Sequence, residues 1–179
     1  VTILTVTNVE VGEEAEDIDV HFRYIGKFDE EGEPIGCLEF NRTEVLTPAD
    51  TITMVTNAHN PEHEQGYVFV YAERYSEVTE TQNPIKHNFL TGNLLTVDGL
   101  EIFEYSVNPV SYLGVRAGET TDADGDGLLD LDDREYSASP DEILIPRFLG
   151  QGNAYVSELI LIALSGGTAF DTTLDFLIF

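Results

Sequence analysis

Between residues 122 and 133 the chain reads DADGDGLLDLDD, which sets aspartates at Asp122, Asp124, Asp126, Asp130 and Asp133. Counted from Asp122, these are the first, third, fifth, ninth and twelfth positions of a loop whose side-chain oxygens can converge on one cation. Gly127 stands where such a loop turns sharply, and the main-chain carbonyl of Leu128 falls at the seventh position. A shell built only of hard oxygen atoms predicts calcium, which accepts about six to eight of them. Magnesium fits less well, because it keeps its waters and demands a tighter octahedron.

The flanks decide what kind of calcium loop this is. GETT (Gly118 to Thr121) precedes it, and REYSASP after it is stopped by Pro140, so neither side carries the helix of a calcium sensor. The twelfth position is Asp133, whose side chain is shorter than the glutamate that usually grips the ion with both oxygens. The loop resembles the helix-poor calcium repeats of thrombospondin type 3 and dockerin-like segments. The resemblance implies a structural ion that holds a turn together.

Other motifs are weaker. His59, Glu62 and His63 match the H-x-x-E-H string of inverted zinc peptidases, which requires a helix, but Pro61 interrupts it. The expectation is a solvated turn. His21 and His87 are single and are expected to face solvent or a carboxylate. No nucleophile elbow is present, GQG and SGG lack the following lysine of a phosphate loop, and Cys37 stands alone. The chain is therefore read as a non-enzyme, with Cys37 as a small buried hydrophobe. Asn41-Arg42-Thr43 is a sequon compatible with glycosylation of Asn41 in an exported protein. Tyr67, Phe69 and Tyr71 share one face of a strand, either as part of a core or as a platform for sugar rings.

Charge narrows the partners. The 179 residues include 34 acidic and 8 basic side chains, a formal charge of −26. That excess repels nucleic acid and anionic membrane surfaces, both polyanions. The longest apolar run, LILIAL at Leu159 to Leu164, is far shorter than the ~20 residues a membrane helix needs, so no membrane insertion is expected. The chain begins directly in a strand-like segment without a signal peptide or initiator Met, which reads as a processed, secreted product. A weak structural calcium loop suits the millimolar calcium outside the cell.

The elements that must hold these residues follow a period of two. Asp17 to Tyr24 alternates, with Ile18, Val20, Phe22 and Tyr24 on one face. Similar runs are Thr2 to Val9, Cys37 to Val45, Thr51 to Val55, Tyr67 to Tyr75, Leu100 to Val107, Ile143 to Leu149, Tyr155 to Leu164 and Thr172 to Phe179. Asn88 to Leu95 reads as one helical turn at most. Many short strands separated by polar turns predict an all-β protein, an antiparallel β-sandwich of immunoglobulin-like or jelly-roll-like kind. The expected organisation is a single domain, residues 1–179, with the calcium loop on an excursion over about 116–142.

Both ends are apolar and strand-like: Ile3 and Leu4 near the start, and Leu174, Phe176 and Ile178 near the end. Open-edged, they would be an aggregation hazard; pairing inside the same domain is the simpler solution, and pairing with the next copy by strand addition, the sharper one, would build a polymer. The run DGDGLLDLDDREYSASPDEILIPRFLG, with SELILIAL and TTLDFLIF after it, resembles a group of exported bacterial β-rich proteins, over most of the chain from Leu46 onward. That resemblance implies secretion and β architecture and carries over no catalytic residue. The function expected from the sequence is an extracellular, calcium-stabilised structural protein, a subunit of a filament, matrix or surface assembly formed by terminal strand pairing. The alternative is a carbohydrate-binding or adhesive module for polysaccharide.

Overall fold

The computed structural model describes residues 1–26, 39–62, 66–100, 102–116, 118, 120–140 and 143. The chain is an antiparallel β-sandwich. Among the described residues its strands are β1 (Thr2–Asn8), β2 (Ile18–Gly26), β3 (Glu39–Leu46), β4 (Thr51–Val55), β5 (Gly66–Ser76), β6 (Thr81–Pro84), β7 (Leu90–Asp98) and β8 (Phe103–Val107), with a helical turn, α1 (Thr56–His59), after β4. One sheet has the order β4-β1-β7-β8 and the other β3-β2-β5-β6.

The alternation in β2 does what its period demands. Ile18, Val20, Phe22 and Tyr24 are buried on the inner face, opposite Ala72, Val70 and Val68 of β5. Leu4, Val6 and Met54 of the first sheet close the core from the other side. Buried apolar area of this kind, at about 25 cal/mol per Å², is the main force holding the two layers together.

Three expectations change. Leu90–Asp98 is a nine-residue strand rather than a helical turn. Gly92 and Asn93 are poor strand formers, but β1 and β8 offer hydrogen-bonding partners along both of its edges, and that context outweighs propensity. The segment around His59 is a helical turn with a buried histidine, not a solvated turn. Ile3 and Leu4 do not lie on an open edge. β1 is an inner strand bonded to β4 on one side and β7 on the other, and Leu4 is buried in the core, so it has no edge to offer another subunit. Leu174, Phe176, Ile178 and Cys37 lie outside the described residues, as do the expected strands Tyr155 to Leu164 and Thr172 to Phe179.

Candidate metal centre

The acidic excursion packs on the outward face of the second sheet. Tyr71 and Glu73 point away from the core, since Val70 and Ala72 on the same strand point into it, yet both are buried. Tyr136 from the excursion is buried and close enough to Tyr71 and Glu73 to act on them electrostatically. At the edge of the same sheet the Thr121 N–H donates to the Pro84 carbonyl of β6 at 2.8 Å. Burial pushes the Tyr136 phenol up, so it stays neutral and able to donate.

Within the excursion the carboxylates are fixed by their own backbone. Asp122 accepts from Gly125 N–H at 2.6 Å through Oδ1 and from Gly127 N–H at 3.1 Å through Oδ2. Asp124 accepts from Asp126 N–H at 3.2 Å, and Asp126 from Leu128 N–H at 2.8 Å. Gly125 and Gly127 have φ of +80° and +79°, and no atom lies within 4 Å of where a Cβ would stand. Backbone conformation, not crowding, calls for glycine at both places.

Ligand atoms of Asp122, Asp124 and Glu135 all lie within 4.8 Å of one another. Glu135, only 2% exposed, is held by N–H groups from Asp130 at 3.0 Å and from Ala123. Asp133 is turned elsewhere: its φ is 65°, and its Oδ1 accepts from Ala138 N–H at 2.9 Å. Asp126 and Asp130 belong to the same loop without joining this closest group of carboxylates. Burial, then the neighbouring charges of Glu135, Asp126, Asp124 and Asp132, push the Asp130 carboxyl up. Crowded anions of this kind are what a bound divalent cation relieves. Preset oxygen donors, with no nitrogen or sulfur among them, fit a hard cation such as calcium.

No family model, curated protein or solved structure matches this chain.

Glu135 escaped the spacing argument because it falls two residues beyond the twelfth position. What marks it is geometry: its backbone N–H bonds Asp132 Oδ1 at 3.2 Å, in a turn that swings its side chain back over the loop. The remaining sequence candidates are scattered. Asn41 is exposed on β3, where its Oδ1 is 2.8 Å from His21 Nε2 and its Nδ2 donates to Glu39 at 3.0 Å. His59 Nδ1 is 2.7 Å from the Tyr24 hydroxyl, inside the sandwich, while His63 lies outside the described residues.

Proposed function

We propose that this protein is a calcium-stabilised, non-catalytic β-sandwich that works outside the cell as a structural subunit of a matrix or surface assembly. The observation that carries the reading is the convergence of Asp122, Asp124 and the buried Glu135 in a loop with the spacing of a calcium repeat. A cation held there would tie the start of the loop, at Asp122 and Asp124, to its end at Glu135. Ordering this irregular chain costs conformational entropy, and ion binding offsets it. Assembly by strand addition would use β3, β4, β6 or β8, because β1 is paired on both sides.

The test is thermal unfolding with calcium and with a chelator, alongside electron microscopy of the same samples. Millimolar calcium should raise the melting temperature, and chelation should lower it. A melting temperature indifferent to both sinks the reading.

One observation favours the adhesive alternative. Exposed Tyr75 and Phe89 line a cleft of about 540 Å³ between the β1–β2 connection and the β5–β6 turn, with Glu14, Glu77 and Lys86 beside them. Aromatic rings flanked by hydrogen-bonding groups are the means by which a protein holds sugar rings. Retention on a polysaccharide column that vanishes in Tyr75→Ala and Phe89→Ala supports this second reading.

A further inference from the structure

Charge is spread unevenly over the two sheets. Leu4, Val6 and Met54 point into the core, so the residues between them on β1 and β4 point away from it. Cross-strand pairing sets these outward residues in level rows. Thr51, Thr7 and Thr91 make one row, and Thr53, Thr5 and Asn93 the next. Val55, Ile3 and Leu95 make a third, which is apolar. Among the described strand residues of this face the only charged side chain is Glu104, level with Val97 on the border strand β8. The second sheet differs. Asp19, His21, Arg23, Glu39 and Glu73 all lie on its outward face, and the acidic excursion packs over part of it. A chain of charge −26 thus keeps one sheet face almost free of charge.

The polar side chains of this face are held in place and can still bond outward. Thr5 Oγ1 lies 3.1 Å from Thr53 Oγ1, and Thr7 Oγ1 lies 2.9 Å from Thr51 Oγ1, both pairs exposed. A hydroxyl has one proton and two lone pairs, so each pair keeps a proton to give and lone pairs to receive. Asn93 Nδ2 donates to Ser106 Oγ at 2.8 Å. Side chains already ordered in this way lose less freedom when another surface meets them. The apolar row is open as well, with Val55 40% exposed.

We propose that the outward face of the first sheet docks against the same face of a second copy, closing a two-fold dimer. A surface that meets its own copy has to be complementary to itself. Threonine hydroxyls and the Asn93 amide satisfy this because each both donates and accepts, and an apolar row needs only another apolar row. Carboxylates only accept, and copies meeting through the second sheet would bring acidic side chains such as Asp19 and Glu39 near one another. The first sheet brings neutral side chains together instead, and the centres of protein interfaces are depleted of charge in the same way. The proposal rests on the reading of this protein as an assembling subunit, names the face it uses, and is independent of the calcium loop.

Sedimentation equilibrium of the full-length chain, at fixed calcium and from about 1 µM to about 1 mM protein, tests it. The mass should rise with concentration and level off at two chains. Between about 0.02 M and about 0.5 M sodium chloride the dimer should tighten at least about tenfold, as the charge on the rest of each copy is screened. Thr5→Glu with Thr53→Glu should weaken the dimer at least about tenfold, because the added carboxylates repel across the contact. Val45→Glu with Thr81→Glu puts the same two charges at exposed places on the second sheet and should change it by less than about threefold. A mass of one chain at every concentration overturns the proposal and the assembly reading with it. Polymers that grow past the dimer and survive Thr5→Glu with Thr53→Glu leave the assembly reading standing and overturn this one, since they put the contact at the strand edges. Cysteine labelling needs no charge in the sheet. In a Cys37→Ser background, Thr53→Cys should react fast with a maleimide when dilute and at least about tenfold more slowly once the mass is that of two chains. Slow reaction in the most dilute sample means that the chain covers this face itself and overturns the proposal, and so does a fast rate that concentration leaves unchanged.

Discussion

Thr121 Oγ1 and the Tyr136 hydroxyl lie 3.0 Å apart, both buried, one on each side of the aspartate-rich loop. This bond closes the base of the loop with no ion involved, and Tyr136 N–H adds a bond to the Asp130 carbonyl at 3.1 Å. Removing the hydroxyl alone, in Tyr136→Phe, should cost about 1 kcal/mol and leave Thr121 without its partner. Tyr136→Ala also empties space beside Tyr71 and should cost about 3 to 5 kcal/mol. Urea unfolding with and without calcium reads both, and the alanine variant should bind calcium more weakly because the base of the loop no longer holds its shape.

Glu135 and Asp133 make a sharper pair. If Glu135 closes the site, Glu135→Gln removes a carboxylate charge from the group that includes Asp122 and Asp124, and calcium affinity should fall by about tenfold or more. Asp133→Asn, whose side chain can still accept from Ala138 N–H, should change affinity little. Titration calorimetry separates them. The reverse order would put the ligand back at the twelfth position.

How far the sequence could be read follows from what each signal depends on. The β2 alternation names its buried face because strand period is local, and Ile18, Val20, Phe22 and Tyr24 fall where it puts them. The strand Leu90–Asp98 was hidden because its stability comes from β1 and β8, distant in the chain. Whether Ile3 and Leu4 pair inside the domain or with another copy stayed open for the same reason: a strand's position in the sheet order is set by its partners, which periodicity does not report. In the loop, Asp122 and Asp124 were legible from spacing, whereas Glu135 depended on the turn capped by Asp132. Spacing singled out His59 as part of a zinc string and not for its buried place beside Tyr24, which is a tertiary contact.

His21 provides a test of pH dependence. Burial pulls its imidazole pKa down, but hydrogen bonds with Glu73 at 3.0 Å and with Asn41, together with the Glu73 charge, outweigh burial and raise it above the usual 6.5. The folded state therefore holds this proton more tightly than the unfolded state. The contribution is fully present below pH 6.5 and is lost as pH rises through the folded value. His21→Gln should destabilise the protein more at about pH 6 than at about pH 8. A penalty that is the same at both, measured by urea unfolding, would show that the Glu73 pair adds nothing through charge.

His59 carries the opposite sign. Burial, then the Arg42 charge, lowers its pKa, and it sits in the sandwich with Nδ1 bonded to the Tyr24 hydroxyl and its ring edge-on to Phe22 at 4.9 Å. The Tyr24 phenol is itself pushed up by burial to about 12, so it stays protonated and donates to a neutral imidazole. Nε2 is 3.4 Å from Glu44 Oε1 without hydrogen-bond geometry, so that carboxylate does not reverse the shift. Below pH 6.5 the unfolded state takes up a proton that the folded state refuses, and stability falls until the folded value is reached. His59→Leu removes that proton uptake. The wild type should be the more stable of the two at about pH 7.5, and its advantage should shrink toward about pH 5. Tyr24→Phe strands the buried Nδ1 and should cost about 1 to 3 kcal/mol at neutral pH. An advantage over His59→Leu that grows on acidification would mean that His59 is held as a cation beside Glu44, and the neutral pairing with Tyr24 would have to be given up.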